Sequence, residues 1–335
     1  MSGTRRDPAH EVRLTKASQP TRRHFSDRMV ERGATDPDFV VFESDIGHST
    51  FSYLFGEKYP NRYFNMGIAE MATVSAAAGV ASEGRTAFVC GYGVFLTMRA
   101  VEVVRSFVCY PRLNVKFLSS HGGLTAAIDG VTHQATEDIA FVTTLPGMQV
   151  LAPCDRVSAR AAVDTALETP GPVFTRLMRD ALWDLYPDGE RFPLGGSKVV
   201  RPGTDLTIAA YGDMVIQSVR AAEELAGRGI SAEVLDLYSL KPVDRAAVLA
   251  SADRTGALLV VENHQRRNGL GYELADLFMR RDASTPAFEH LGLDDRFGES
   301  GDYERVIDKY GISARRIAVA AEELAGRGAA GRSRG

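Results

Sequence analysis

The sequence has few cysteines, and none of them has the spacing of a metal or redox motif. Cys90, Cys109 and Cys154 are the three cysteines among 335 residues, and no two form a Cys-x-x-Cys pair. This usage excludes a disulfide framework and a zinc site of the Cys-x-x-Cys kind. We expect three small, reduced core residues in a cytoplasmic protein, with a reactive thiol as the alternative.

Long apolar runs and a dominant charge of one sign are also missing. No run approaches the ~20 apolar residues of a membrane-spanning helix, so we expect no membrane partner. The net charge is -4 and the basic residues are scattered, which argues against a nucleic-acid partner. Residues 1–20 contain arginines but no apolar segment after them, which predicts an N-terminal arm rather than a secretory signal.

The apolar pattern that is present predicts an α/β fold. Short apolar runs alternate with helical patterns, and several of these runs are continuous rather than alternating, as in strands covered on both faces. The fold class expected is two domains, each a mostly parallel sheet flanked by helices. The candidate strands are Phe39–Glu43, Thr86–Cys90, Val115–Ser119, Met148–Ala152, Val173–Arg176, Leu206–Ala210, Ala232–Asp236 and Ala257–Val261.

Domain boundaries follow from composition. The length suits two domains of ~150 residues each. Residues 187–203 are rich in Pro and Gly and poor in periodic apolar residues, so we interpret them as a linker. The prediction is an arm at 1–20, a first domain at 21–186, a second domain at 204–327 and a tail at 328–335.

Glu70 is the first candidate for chemistry. It precedes a run of small residues between positions 72 and 81 that predicts a narrow, tightly packed helix. A carboxylate on the first turn of such a helix is expected to be partly buried. The alternative is an ordinary glutamate that interacts favourably with the helix dipole.

Two further candidate segments follow predicted strands, where ligands bind in open parallel sheets. Tyr92 and Phe95 flank a glycine turn and could form the wall of a site for a flat heterocycle, or could be core aromatics. His121, Asp129 and His133 share a glycine-rich loop and suit hydrogen bonding and proton transfer to sugar hydroxyls. Turn-forming polar residues are the alternative, and the spacing matches no familiar zinc pattern.

Arginines end the fifth predicted strand. Arg176 and Arg179 lie in Phe174-Thr-Arg-Leu-Met-Arg, and a guanidinium suits phosphate or carboxylate recognition. Surface arginines are the alternative interpretation. No GxxxxGK[ST] loop and no strand–GxGxxG–helix unit is present, so phosphate is not bound by either of those loops.

Taken together and in this order, these segments resemble the C-terminal half of transketolase over residues 20–325. The second domain adds Tyr211-Gly-Asp, Val234-Leu-Asp-Leu-Tyr-Ser-Leu-Lys-Pro and Val261-Glu-Asn-His, which are similar to the C-terminal domain of that family. The resemblance implies a pyrimidine-binding domain followed by a transketolase C-terminal domain. His121 with the Asp129-Gly-Val-Thr-His133 segment resembles transketolase more than the related synthases and dehydrogenases.

The resemblance also implies roles for single residues. Glu70 matches the glutamate that hydrogen-bonds the pyrimidine of thiamine diphosphate and activates the coenzyme. Tyr92 and Phe95 match the aromatic wall around that ring, and Asp45 matches an aspartate near the cofactor and the subunit contact. The implied substrate-binding residues are Ser49, His121, Asp129, His133 and Arg179, with Glu70, His121 and His133 as the catalytic set.

The sequence lacks the Gly-Asp-Gly…Asn motif that holds the metal and the diphosphate in this family. The resemblance therefore implies a separate N-terminal subunit that binds the diphosphate with Mg²⁺ or Ca²⁺, so that thiamine diphosphate is shared between chains and this chain holds no metal. An α2β2 assembly is the expected arrangement. The predicted reaction moves a two-carbon ketol unit from a ketose phosphate to an aldehyde acceptor.

Two other functions remain open at this stage. One is a subunit like deoxyxylulose-phosphate synthase or the β subunit of a 2-oxo acid dehydrogenase, which would use pyruvate or another 2-oxo acid. The other is a non-catalytic scaffold partner with a degenerate thiamine fold. The joint presence of Glu70, His121, Asp129 and His133 argues against the scaffold.

Overall fold

The computed structural model describes residues 12–283 and 285–332, with side chains up to residue 328. The described strands are β1 Thr15–Lys16, β2 Phe39–Glu43, β3 Tyr63–Asn65, β4 Thr86–Tyr92, β5 Val115–Ser120, β6 Gln149–Leu151, β7 Val173–Arg176, β8 Trp183–Asp184, β9 Lys198–Arg201, β10 Leu206–Ala210, β11 Ala232–Asp236, β12 Ser239–Lys241, β13 Ala257–Gln265 and β14 Ala287–Leu293. The described α-helices are α1 Thr21–Thr35, α2 Gly47–Thr50, α3 Tyr53–Lys58, α4 Glu70–Ser82, α5 Val101–Val103, α6 Asp138–Thr144, α7 Arg156–Glu168, α8 Asp213–Ala226, α9 Arg245–Thr255, α10 Leu270–Met279, α11 Tyr303–Lys309 and α12 Ala314–Arg332.

Two π-helical turns, Phe95–Arg99 and Val104–Cys109, flank α5. Within the described residues, two short 3₁₀ turns lie at Pro60–Arg62 and Gly123–Ala126.

The first sheet has seven strands in the order β12-β6-β7-β5-β4-β2-β3. All neighbours are parallel except β12 with β6. Every residue of β2, β5 and β7 is buried, because helices cover both faces of the sheet. The carboxyl ends of β2, β4, β5 and β7 therefore meet at one edge, which is the edge that carries the candidate residues.

The second sheet has five strands in the order β14-β13-β10-β11-β9, all parallel except β9 with β11. Helices α8 and α12 pack on one side of it, around a core that includes Ile208, Val234 and Leu259. The α/β class with two mostly parallel sheets is thus confirmed. Four of the predicted strands, β2, β7, β10 and β11, have the bounds expected from the sequence.

The linker interpretation of residues 187–203 needs a correction. Lys198–Arg201 within this segment forms β9, which pairs antiparallel with β11 and closes one edge of the second sheet. The two β-branched residues of this strand, Val199 and Val200, are too short a run to produce a periodic signal. The connection is therefore shorter than predicted, while the domain bounds 21–186 and 204–327 stay a prediction.

The two ends of the chain also differ from a simple arm and tail. Residues 1–11 of the predicted arm lie outside the described part, but Thr15–Lys16 pairs antiparallel with Trp183–Asp184. Helix α12 extends to Arg332, into the predicted tail, because the alanines near its end favour helix. Residues 333–335 lie outside the described part.

One strand crosses between the predicted domains. Ser239–Lys241 comes from the second domain in sequence but pairs with β6 at the edge of the first sheet. Lys241 also donates hydrogen bonds to the carbonyl oxygens of Thr143 and Leu145, each at 2.6 Å. The two domains are therefore joined by backbone and side-chain bonds as well as by the chain itself.

Two expectations from the sequence concern the core and the membrane. Cys90, Cys109 and Cys154 are all buried and free, which confirms their interpretation as core residues. Burial raises the pKa of the Cys109 thiol to about 11, so this thiol is protonated at neutral pH. None of the described helices is both long enough and apolar enough to span a bilayer.

Candidate active site

A cluster of four rings lies at the carboxyl ends of β4 and β5. Tyr92 ends β4 and His121 directly follows β5, and their ring centres are 4.0 Å apart. Phe95 lies 5.6 Å from Tyr92 and 5.8 Å from His133, centre to centre. The structure therefore brings together aromatic and histidine residues that are up to about forty positions apart in the sequence.

His121 has an unusual backbone and an unusual charge state. Its φ is 66°, a left-handed conformation, and its Nδ1 lies 2.8 Å from Ser120 Oγ. Burial lowers the pKa of His121 to about 2, and the positive charges of Arg22, Arg179 and His133 act in the same direction. The imidazole is therefore neutral at physiological pH and takes part in hydrogen bonds without binding a second proton.

Asp129 joins this histidine to Arg179. Asp129 Oδ2 is 3.7 Å from His121 Nε2 and 2.6 Å from Arg179 Nε. Arg179 also donates to Asp180 at 2.5 Å. The two aspartates hold the guanidinium in place at the edge of the site.

Arg22, in the first turn of α1, is a residue that the sequence analysis missed. Its Nη1 donates to the backbone oxygen of Ser49 at 2.6 Å and to Ser49 Oγ at 2.9 Å, while its Nε is buried without a partner within the described residues. Burial lowers the pKa of Arg22 to about 10, and the nearby charge of Arg179 adds to this effect. Two guanidinium groups and a serine hydroxyl thus form a basic corner, defined as Arg22, Ser49 and Arg179.

Nothing in the local sequence distinguishes Arg22, which stands in an Arg-Arg pair, from a surface arginine. The signal that identifies it is tertiary, because α1 packs next to the short helix α2 that contains Ser49.

Glu70 begins α4 and is buried, with its side chain 7% exposed. Its one hydrogen-bond partner within the described residues is Arg99, whose Nη1 lies 3.2 Å from Glu70 Oε1. The guanidinium of Arg99 also stacks on Phe95, with 3.9 Å between its central carbon and the ring centre. Arg99 therefore connects Glu70 to the ring cluster.

Asp45 stays apart from the ring cluster. It is exposed, has a φ of 60° and accepts a hydrogen bond from Asn65 Nδ2 at 3.1 Å. The Asn65 Oδ1 atom in turn accepts from the backbone N–H of Gly67 at 2.9 Å. Asp45 thus supports the loop that leads into Glu70 rather than contacting the rings.

The loop that follows β5 is held by the second domain. Asn263 Oδ1 accepts from the backbone N–H of Leu124 at 2.8 Å, and Gln134 Nε2 donates to the oxygen of Glu299 at 3.1 Å. Gly123 has a φ of 59°, and a side chain there would collide with Asn263. These contacts fix the loop that carries His121, Asp129 and His133.

Arg176 is neither a surface residue nor part of the basic corner. Its Nε donates to Asp138 Oδ2 at 2.8 Å, and both side chains are buried. Its Nη2 donates to the backbone oxygens of Ala135 and Asn263 at 3.0 and 2.9 Å. The surface alternative is wrong for Arg176, because this buried residue holds the loop that follows β5 and connects it to the second domain.

The residues present fit a planar, hydrogen-bonding ring better than a metal-bound diphosphate. Glu70 offers a buried carboxylate with a single displaceable partner, next to the face of Phe95. Within the part of the chain that the structure describes, no group of three or more His, Cys, Asp or Glu residues could hold a metal ion.

Two parallel-sheet domains with a polar edge beyond the strand ends place the chain among the α/β enzymes. Residues 17–183 match the family model "transketolase, pyrimidine binding domain", and residues 195–317 match "transketolase, C-terminal domain".

Three relatives show what the chain is similar to. It is 34% identical to the putative transketolase C-terminal section of Methanocaldococcus jannaschii, over 92% of this chain and 96% of that protein. It is 36% identical to the 6-deoxy-6-sulfo-D-fructose transketolase subunit SqwH of a Clostridium species, over 90% of this chain and 92% of that protein. A solved split-gene transketolase, an inactive β4 tetramer, superimposes with a TM-score of 0.83 at 37% identity, covering 91% of this chain and 98% of that one.

The chain belongs to the transketolase family and is a C-terminal subunit of the split type, in the transferase class of enzymes. Membership of this family implies dependence on thiamine diphosphate. The resemblance drawn from the sequence is thereby confirmed. The roles of the individual site residues stay predictions.

Proposed function

We propose that this chain supplies the pyrimidine side of the coenzyme site and the whole sugar-phosphate site of a split transketolase. The reaction moves a two-carbon ketol unit from a ketose phosphate to an aldehyde acceptor. The observation that carries the proposal is the order of groups along one edge of the first sheet. That order runs from a carboxylate, through four rings, to a pair of guanidinium groups.

Glu70 and Phe95 would hold the aminopyrimidine ring of thiamine diphosphate, with Tyr92 beside it and Asp45 supporting the loop before Glu70. When bound, this coenzyme supplies the carbon nucleophile and the electron sink for the two-carbon unit. The Glu70 carboxyl would share a proton with a ring nitrogen and so set the protonation of the ring. The diphosphate and Mg²⁺ or Ca²⁺ would be held by the N-terminal partner subunit.

The sugar would bind between the ring cluster and the basic corner. Neutral His121 can hydrogen-bond a sugar hydroxyl through Nε2, the atom that lies 3.7 Å from Asp129 Oδ2. His133 Nδ1 is engaged with Thr132 Oγ1 at 2.9 Å, which leaves Nε2 for the substrate.

The basic corner would receive the phosphate of the substrate. Arg22 and Arg179 present two guanidinium groups, and a dianion between them would offset the burial and the repulsion from Arg179 that together lower the pKa of Arg22. The buried Nε of Arg22 has no partner within the described residues, so an anion would satisfy it.

Relatives of matching length support this reaction over the alternatives. The subunits from Methanocaldococcus and Clostridium are transketolase components covered over more than 90% of their length, whereas a 1-deoxy-D-xylulose-5-phosphate synthase of Desulforudis audaxviator is covered over 50%. A use of pyruvate or a scaffold role is therefore not favoured. An α2β2 assembly and a cytoplasmic location complete the proposal.

The test is a calorimetric titration of thiamine diphosphate with Mg²⁺ into this chain alone, into its N-terminal partner alone and into the mixture. We expect tight binding only by the mixture, followed by turnover of a ketose phosphate. Tight binding by this chain alone would contradict the shared site, and no binding by the mixture would contradict the proposed function.

A further inference from the structure

Arg99 occupies a defined place beside the proposed coenzyme site. It ends the π-helical turn Phe95–Arg99, so its side chain folds back over the ring that begins the same turn. Its guanidinium lies 3.9 Å from the centre of Phe95 and donates to Glu70 Oε1 at 3.2 Å. One side chain thus engages both groups that the proposed function assigns to the aminopyrimidine.

The guanidinium has the same binding features as an aminopyrimidine. Both are planar, both present nitrogen atoms at their edge that can hydrogen-bond a carboxyl group, and both stack on the face of an aromatic ring. Glu70 receives the N–H donor and Phe95 receives the flat face in the present arrangement. Arg99 and the coenzyme ring therefore compete for the same two partners.

The exposures of the two side chains show which partner can move. Arg99 is 52% exposed, whereas Glu70 is 7% exposed and fixed on the first turn of α4. A long, half-exposed side chain can turn into solvent, and the coenzyme ring would then take its place as the partner of the buried carboxylate. Displacement therefore moves Arg99 and leaves Glu70 in place.

We propose that Arg99 is a placeholder for the coenzyme. Before thiamine diphosphate binds, Arg99 pairs with Glu70 and covers the face of Phe95. When the coenzyme binds, the Arg99 side chain turns into solvent. This inference rests on the proposed function, because it assigns Glu70 and Phe95 to the aminopyrimidine. Arg99 acts as a positioning residue, and its displacement is a cost that coenzyme binding must offset.

The experiment measures coenzyme affinity in the complete complex of this chain with its diphosphate-binding partner. Thiamine diphosphate with Mg²⁺ is titrated calorimetrically into complexes containing wild-type chain, Arg99→Ala or Arg99→Lys. We expect Arg99→Ala to bind about fivefold more tightly, the factor that corresponds to ~1 kcal/mol for the loss of one competing ion pair and stacking contact. Arg99→Lys keeps the charge without the planar face, so its affinity should lie between the other two.

The matched control is Arg105→Ala, which removes an exposed arginine six positions further along whose side chain donates to Ser106 Oγ at 3.3 Å. Its coenzyme affinity should equal that of the wild-type complex. A gain of affinity is informative because damage to the pocket would weaken binding. Equal or weaker binding by Arg99→Ala, with normal wild-type binding, would overturn the placeholder. Absence of binding by the wild-type complex would instead overturn the proposed function on which it rests.

Discussion

Each domain has a buried glutamate, and the two differ in how many hydrogen bonds the protein gives them. In the first domain, Glu70 has one hydrogen-bond partner within the described residues, the half-exposed Arg99. In the second domain, Glu262 is 0% exposed and accepts from Tyr211, His290 and the backbone N–H groups of Leu270 and Gly271, at 2.6–3.1 Å. Glu70 can therefore accept further hydrogen bonds from a ligand, whereas the carboxylate of Glu262 is already saturated with hydrogen bonds from the protein.

The same chemical group is thus left with a single partner in one domain and is saturated with hydrogen bonds in the other. Although burial opposes its charge, the hydrogen bond from His290 lowers the pKa of Glu262 below the usual glutamate value. Asp213 is also satisfied by the protein, since it accepts hydrogen bonds from Asn263 and Tyr303, each at 2.7 Å, although burial raises its pKa. We interpret the second domain as the brace that holds the sugar-binding loop through Asn263.

The largest effect should come from Glu70→Gln. A glutamine cannot share a proton with the coenzyme ring, so kcat/KM of the reconstituted enzyme should fall by ~10²–10⁴-fold. The melting temperature should change little, because the substitution weakens an ion pair with a half-exposed arginine. Glu83→Gln, at the other end of the same helix and exposed, is the control. A rate that remains near that of the wild type would revive the scaffold alternative.

Glu262→Gln should instead affect folding. It removes the charge from a buried network, which costs about 3 kcal/mol of unfolding free energy. Urea unfolding of the chain measures this loss. Glu289→Gln, in the adjacent strand and paired with Arg327 at the surface, should cost less than ~1 kcal/mol. Equal costs for the two variants would mean that Glu262 contributes no more to stability than a surface glutamate.

Arg179→Ala should weaken recognition of the substrate phosphate. Loss of one charged hydrogen-bonding group should raise KM for a ketose phosphate about tenfold, with no change in the affinity for thiamine diphosphate. The unphosphorylated ketose provides the control, since its KM should be unaffected. If KM rises equally for both sugars, Arg179 holds Asp129 in place rather than binding phosphate.

The smallest effect is a pH dependence of stability from His121. Its folded pKa of about 2 lies below the ordinary histidine value of 6.5, so the unfolded chain binds the extra proton between these values. Stability is therefore complete above about pH 6.5 and is lost as the pH falls. Between about pH 7.5 and about pH 5.5 this loss is ~1.4 kcal/mol.

His121→Asn should remove that contribution, and urea unfolding of the variant and the wild type at the two pH values measures it. An unchanged difference between the two pH values in the variant would mean that other groups cause the dependence.

Much of the candidate site could be predicted because its residues directly follow strands. Tyr92, His121 and Arg179 lie just beyond apolar runs that are visible in the sequence, and the structure brings them to one edge. Arg22 and Arg99 could not be predicted, because each lies on a helix whose packing alone directs it toward Ser49 or Glu70. Short elements such as β9 and β12 were also missed, since three or four residues carry no measurable period.

By itself, the sequence determined the fold class, the parallel strands and the set of acidic, aromatic and histidine residues. These follow from local apolar patterns and from residues adjacent to strand ends. Only the tertiary structure decided which charged groups are paired within the protein and which can still bind a ligand. Arg176 pairs with buried Asp138, Glu262 is saturated, and Arg22 retains a buried N–H without a described partner. The physical reason is that burial and hydrogen-bond saturation depend on neighbours distant in the chain, which no local pattern encodes.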